Sequence, residues 1–302
     1  MFMRIDRLQV EMPVPKDPDP AAAAAVQELM GGRFGEMSTL MNYMFQSMNF
    51  RNKEKLRPFY ALISNICTEE LGHVELIAAT VNGCLNGQES KGDMTSGDAG
   101  FAHMKEAGLL GQFINFGNQA MPTDSRGEGW NGSYVFNSGN LVLDLLHNFF
   151  LENGARTAKL RVYQMTDNPA ARRMLGYLFT RGGVHAHAYA LALEKLTGVE
   201  MKKMLPIPAV EDIVLPESKP FMEEGWHRRL YRFSPNDYTD IGHLWNGQHF
   251  DGSGPLEVVD GPPQGGDMND YEGISEAFVP EYQPQEIFEM AQKLYQKAGG
   301  TL

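Results

Sequence analysis

Apolar residues recur every three to four positions through four long stretches of the chain, the period of a helix with one buried face. The first stretch opens at Asp19-Pro20, a capping residue followed by a proline at the first turn, and runs through "AAAAAVQELM" to about residue 50. Gly31 and Gly32 weaken it and point to close backbone packing. The second spans 52–86, with Pro58 near its start, where proline is tolerated. The third covers 139–167 and stops at "TDNP"; the fourth covers 168–196, with Pro169 in its first turn, and stops at "TGVE". Residues 5–12, "IDRLQVEM", alternate instead and predict a short strand. Residues 87–139 form a long connection rich in Gly, Ser, Asn and Asp, with one short helix predicted over 99–116. From 200 onward the pattern breaks down. This tail holds ten of the seventeen prolines, and only 284–298, "PQEIFEMAQKLYQKA", reads as a helix. Phe221, Trp226, Trp245 and Phe278 make it too apolar for simple disorder, so it is expected to wrap the bundle or a neighbouring subunit.

Four long helices with a long connection between the second and third predict an all-α core: an up-down-down-up four-helix bundle of the ferritin-like kind, with a long crossover. The chain divides into a bundle domain over 1–198, including the N-terminal strand, and a mostly irregular Pro/Gly-rich extension over 199–302.

Composition narrows the partners. The 302 residues carry a net charge of −12, which argues against nucleic acid and anionic membranes. No apolar run has the length of a signal peptide or a membrane span, and the two cysteines, Cys67 and Cys84, form no metal or disulfide motif. A cytoplasmic protein is the expectation.

The chemistry lies on the helical faces that should be buried. Glu36 shares a face with Leu29, Arg33, Leu40 and Tyr43 on the first helix. On the second, "NICTEELGHVEL" aligns Glu70 and His73 with Ile63, Ile66 and Ile77. Leu141, Leu145, Phe149, Glu152 and Lys159 share a face of the third; Leu178, Gly182, His185 and Tyr189 share one of the fourth. Three carboxylates and two imidazoles therefore converge. An isolated buried carboxylate would cost several kcal/mol or be neutralised. Two divalent cations would supply the missing charge, and carboxylates mixed with imidazoles suit Fe or Mn. Registration strengthens this reading. Glu36 and Glu70 are 34 residues apart, Glu152 and His185 are 33 apart, so each hairpin sets its ligands at matching heights.

Other residues read more plainly. A lone Glu-x-x-His on a helix is usually a surface pair, and Glu36 alone is a partnered helix carboxylate. Glu69, about 100° round the helix from Glu70, is expected to stay away from the metals. Gly72 would let a neighbouring helix approach. His187 should face away from His185, and His147 lies off the Glu152 face. His103, His227, His243 and His249 fall in loops or the tail and read as structural or surface groups. Met37, Met41, Met44 and Met48 read as core filling or a subunit contact. Lys159 is either a channel residue or a lysine snorkelling to the surface.

A symmetric dinuclear carboxylate bundle carries Glu-x-x-His on two helices. Here the fourth helix reads "RGGVHAHAY", with Gly182 in place of the second Glu. Five protein ligands remain, and the missing carboxylate is expected to open coordination space. The stretches "GGRFGEMSTLMNYMFQ", "TEELGHVEL", "LLHNFFLENGARTAKLRVYQMTDNP", "RGGVHAHAYALALEKLTGVE" and "LYRFSPNDY" resemble the manganese catalases in order and spacing. The resemblance implies two Mn ions per subunit bridged by Glu70 and solvent oxygens, with Glu36 and His73 on one ion and Glu152 and His185 on the other. It implies Tyr43 as a partner hydrogen-bonded near a ligand carboxylate, and a cytoplasmic homohexamer with tails wrapped between subunits. Leu151 and Gly182 place the chain in the branch lacking the helix-four glutamate.

The implied activity is disproportionation of hydrogen peroxide to water and O2, cycling Mn(II)2 and Mn(III)2. With Gly182 present, the bridging solvent with Glu36 as the nearest carboxylate relay is expected to handle protons. A di-iron carboxylate oxidase or ferroxidase is the alternative, because iron and manganese ligand sets overlap. A ferritin-like shell protein is the non-enzymatic reading, and the long tail argues against it.

Overall fold

The computed structural model describes residues 7–88, 110–206, 215–262, 265–269 and 283–300. Ten elements position the site: helices α1 (Pro20–Gly31), α2 (Glu36–Met48), α3 (Arg57–Asn86), α4 (Leu110–Phe116), α5 (Leu141–Gln164), α6 (Pro169–Thr197) and α7 (Lys219–Glu223), strands β1 (Arg229–Arg232) and β2 (Glu257–Asp260), and helix α8 (Pro284–Lys297). Helices α1 and α2 together, α3, α5 and α6 form the bundle, with α5 against α6 and α3 against both α1 and α2. No helix among the described residues is long and apolar enough to cross a membrane.

Helix ends follow local chemistry. Asp19 caps α1 by accepting from Ala22 N at 3.0 Å, and Asn168 caps α6 by accepting from Ala170 N at 3.0 Å. The Asn168 amide also donates to Asp19 at 3.0 Å, so the two caps fix the starts of α1 and α6 side by side.

The first predicted helix is two helices. The chain leaves helical geometry between Gly32 and Gly35, and the crossover is the cause. Gly31 N donates to Thr123 O at 3.0 Å, and a Cβ on Gly31 would lie 2.5 Å from the Thr123 carbonyl carbon. No side chain fits there. Gly35 becomes the N-cap of α2, which places Glu36 at its first residue. The break also takes Arg33 off the shared face and leaves it exposed.

The predicted N-terminal strand does not form across its described residues. Arg7 makes a single isolated bridge to Asp267, and 8–12 run without strand pairing. That segment packs through Leu8 and Val10 and through the Gln9 side chain. Gln9 occupies the space above Gly72, 2.1 Å from where a Cβ would stand, so Gly72 admits this segment rather than a neighbouring helix. The expected helix over 99–116 appears as α4; residues 99–109 lie outside the described residues, as do His103 and Phe278.

The tail lies on the bundle. Asn65 on α3 donates to Tyr231 O at 2.6 Å and accepts from Phe233 N at 2.9 Å, and β1 pairs in parallel with β2. Trp245 and Phe221 are buried. Two apolar clusters result. One contains Tyr43, Ile63, Ile66, Phe149 and Tyr189; the other contains Leu29, Leu76, Ile77, Leu175 and Leu178. A layer of polar side chains separates them.

Candidate metal centre

All five residues proposed as ligands enter this polar layer, and each is at most 2 % exposed. Glu36 comes from the first turn of α2, Glu70 and His73 from α3, Glu152 from α5 and His185 from α6. Ligand atoms of Glu70, His73 and His185 lie within 4.8 Å of one another. Both imidazoles turn Nδ1 toward the carboxylates. His73 Nδ1 is 3.1 Å from Glu70 Oε2 and 3.7 Å from Glu36 Oε2. His185 Nδ1 is 2.7 Å from Glu70 Oε1 and 3.4 Å from Glu152 Oε1. The layer thus has two halves, one with Glu36 and His73, the other with Glu152 and His185, and the two oxygens of Glu70 are divided between them.

Several groups hold the carboxylates. Tyr43 Oη donates to Glu152 Oε1 at 2.6 Å. Thr39 Oγ1 lies 2.9 Å from Glu70 Oε2 and 3.2 Å from Glu36 Oε2. Lys159 is buried, with Nζ 2.5 Å from Glu36 Oε1, so it does not snorkel to the surface. Burial alone would push the Glu36 carboxyl up; the Lys159 ammonium, ahead of His73 and Glu70, outweighs it and holds the carboxyl far below the usual carboxylate range. Burial, then the Glu152 carboxylate, pushes the Tyr43 hydroxyl well above its ordinary value, so it remains a donor.

Behind the imidazoles stands Glu69. It does lie on a different face from Glu70, yet it is fully buried beside the cluster. Its Oε1 is 3.6 Å from His73 Nε2 and its Oε2 3.1 Å from His185 Nε2. Arg181 clamps it with two bonds, Nε to Oε1 at 2.6 Å and Nη2 to Oε2 at 3.1 Å. The remaining Arg181 nitrogen donates to two tail carbonyls, Trp226 O at 2.9 Å and Arg229 O at 2.7 Å. Burial would raise Glu69; Arg181 and then His185 hold it well below its ordinary value. The Glu69 carboxylate thus stands on the Nε2 side of both rings, the side from which partners orient metal-bound imidazoles.

Glu69, Arg181 and Thr39 were missed in the sequence, although a signal existed. Glu69 precedes His73 by four residues, Arg181 precedes His185 by four, and Thr39 follows Glu36 by three, all same-face spacings. Gly182 also differs from expectation. The space beside it is filled by the Arg156 stem, whose Cγ lies 3.0 Å from where a Gly182 Cβ would stand; Glu152 Oε2 is next at 3.7 Å. Arg156 is itself buried, with its guanidinium over the Phe179 ring at 4.4 Å. The space nearest the Gly182 backbone is therefore taken by the Arg156 stem.

These residues fit a bound cation. Glu70 Oε1 and His185 Nδ1 are buried and only 2.7 Å apart, yet neither makes a hydrogen bond. Their close approach is therefore left unsatisfied, as ligand atoms for a cation would be. Four buried carboxylates face Lys159 and Arg181, and bound cations would offset the remaining negative charge.

A family profile described as "Manganese containing catalase" matches residues 1–299. The chain belongs to this family. Among relatives, it is 32 % identical over 266 residues to the uncharacterized protein YjqC of Bacillus subtilis, covering 87 % of this chain and 91 % of that one. It is 34 % identical over 198 residues to the manganese catalase of Bacillus subtilis, covering 62 % of this chain and 67 % of that one. The crystal structure of KatB, a manganese catalase from Anabaena, covers 87 % of this chain and 100 % of its own with a TM-score of 0.54 at 21 % identity, which establishes the shared fold. Membership in the manganese catalases makes manganese the metal this donor set is read against, and the ferritin-like bundle the frame that carries it.

Proposed function

We propose that the protein disproportionates hydrogen peroxide to water and O2 at a dinuclear manganese centre held by Glu36, Glu70, His73, Glu152 and His185. The observation that carries this reading is the division of Glu70 between two similar halves, each completed by one glutamate and one imidazole Nδ1. When bound, two manganese ions would supply reversible storage of two electrons, so no external electron donor is needed. Among the described residues the protein parts have clear tasks. Glu70 spans the halves and Thr39 fixes its Oε2. Glu69, clamped by Arg181, keeps both Nδ1 atoms forward. Tyr43 holds Glu152 through a hydrogen bond on Oε1. The two apolar clusters exclude bulk water on either side. Lys159 Nζ carries protons within reach of Glu36 Oε1, so the proton relay assigned to Glu36 belongs to the Glu36–Lys159 pair.

The same reading takes the protein to be a cytoplasmic homohexamer, with residues 1–198 as the catalytic bundle and 199–302 as an extension that reaches neighbouring subunits. Supporting this, Ile287, Phe288, Met290, Leu294 and Tyr295 of α8 are all exposed.

The test is metal analysis beside O2 release from peroxide, with azide as inhibitor, before and after chelation. Two Mn per chain with azide-sensitive O2 release is expected. Iron at full occupancy without O2 release would establish a di-iron oxidase instead. Glu36→Gln with an intact metal pair and full activity would remove the Glu36–Lys159 pair from proton handling.

A further inference from the structure

Outside the bundle, the tail gathers imidazoles that the peroxide reaction does not use. His227 sits in the turn ahead of β1; His249 and Asp251 sit in the turn ahead of β2. One ligand atom from each lies within 4.8 Å of the others. Asp251 divides its oxygens between the two rings: Oδ1 is 2.7 Å from His249 Nδ1, and Oδ2 is 3.8 Å from His227 Nε2. The rings meet edge to face, 5.2 Å between centres. We propose that His227, His249 and Asp251 form a second metal site, which takes a zinc-class divalent cation and clasps two turns of the tail to each other beside α6.

The donor set and its dimensions support this. Two imidazoles and one carboxylate suit zinc and its neighbours. Ligand bonds of about 2.0–2.2 Å in tetrahedral geometry separate donor atoms by roughly 3.3 Å, between the two distances Asp251 makes now. Small side-chain rotations would therefore seat the ion. Asp251 is about one-third exposed, with 35 % of its side chain accessible, which leaves a path for the ion and a fourth position for solvent. Ser253 Oγ, 2.9 Å from His227 Nε2, lines the same edge. Arg228, next in sequence, is held through Nη1, which donates to Pro255 O at 3.1 Å.

A second observation is independent of the cluster. His187 projects from α6 on the side away from His185, 1 % exposed, and neither of its ring nitrogens has a partner. Its ring centre is 4.9 Å from that of His249. Trp245 and Phe250 pack against it at 5.2 and 5.0 Å. A buried imidazole without hydrogen-bond partners is a polar group that wants a ligand or water nearby. The cation would join the turn at 226–228 to the turn at 249–251, the segments that lead into the two paired strands.

The test uses the full-length manganese-loaded protein with zinc chloride as the probe. Zinc is counted by mass spectrometry after desalting, manganese is counted in the same sample, and affinity is measured calorimetrically. One additional zinc per chain at unchanged manganese content is expected, with a rise in melting temperature. Asp251→Asn and His227→Gln alter partly exposed side chains; each should lower zinc affinity about tenfold or more and abolish the thermal shift. His243→Gln, an exposed histidine outside the cluster, should bind as the parent does. No retained zinc in the parent, zinc gained only as manganese is lost, or equal affinity in all variants would each overturn the proposal.

Discussion

Glu36 offers Oε1 to Lys159 at 2.5 Å, and its Oε2 lies 3.2 Å from Thr39 Oγ1. A carboxylate held that way stays ionised and available as a ligand. Lys159→Met removes the main influence that lowers its pKa, and burial then drives the carboxyl upward. That variant should lose manganese at higher pH than the parent, measured by metal content across a pH series. Tyr43→Phe leaves Glu152 without its donor. A loss of about 10–100-fold in metal affinity or peroxide turnover is expected, the range for partners that orient ligands. Gly182→Glu tests the vacancy directly. Because the Arg156 stem already occupies that space, the new side chain should not complete a six-ligand site. It should destabilise the fold by about 1–3 kcal/mol, the ordinary cost of overpacking, read from urea unfolding.

Between elements, the tightest polar link runs from α3 to α6 through Glu69 and Arg181, both fully buried. Removing one member leaves the other stranded, at a cost of about 3–5 kcal/mol. Arg181→Met should therefore unfold at markedly lower denaturant than the parent, while Glu69→Leu combined with Arg181→Leu should recover part of the loss. Single-variant stability equal to the parent's would contradict the pairing. The helices themselves were legible in the sequence because each carries a repeating apolar face between clear stop signals such as "TDNP" and "TGVE". Glu36, Glu70, His73, Glu152 and His185 were legible because they sit on those faces. The break at 32–35 was not, because its cause is Thr123, about ninety residues away along the crossover. Nor was the role of Arg156 beside Gly182: periodicity reports which way a side chain leaves its helix, and not where a long stem ends. Residues 5–12 misled for a related reason. Alternation signals a strand only where the partner edge continues; here pairing with 265–267 stops at Leu8, and Gln9 is threaded over Gly72.

For the whole molecule, protons and metal compete at the same atoms. Burial would lower the His73 pKa, but Glu70 and its neighbours hold it well above the ordinary imidazole value; His185 is held up in the same way, chiefly by Glu69. Imidazoles must be neutral to bind metal, so manganese uptake should release protons and weaken as pH falls. Adding manganese to metal-free protein in weak buffer should acidify the solution; no acidification would count against both imidazoles as ligands. The linkage for folding has two signs. The raised imidazoles stabilise the metal-free fold fully below pH about 6.5, and that contribution is lost as pH rises through their folded values. The depressed carboxylates Glu36 and Glu69 act oppositely: their contribution is present above pH about 4.3 and lost as pH falls through their folded values. Chelation should therefore shift the pH of greatest stability toward acid, measured by thermal melts across pH.

Arg181 also bears on how far the bundle, the catalytic part in the function proposed above, could be transplanted. Its guanidinium is satisfied on one side by Glu69 and on the other by carbonyls that arrive only with residues 226 and 229. A chain cut at 198 would keep all five proposed ligands and lose the backbone that neutralises the arrangement behind them. Modularity in this protein is thus lopsided: the bundle supplies the chemistry, but its most deeply buried cation is wired to the appendage. A truncated gene ending at 198 should yield insoluble or molten protein rather than a smaller catalase, and Arg181→Leu with Glu69→Leu should be the change that makes such a truncation tolerable.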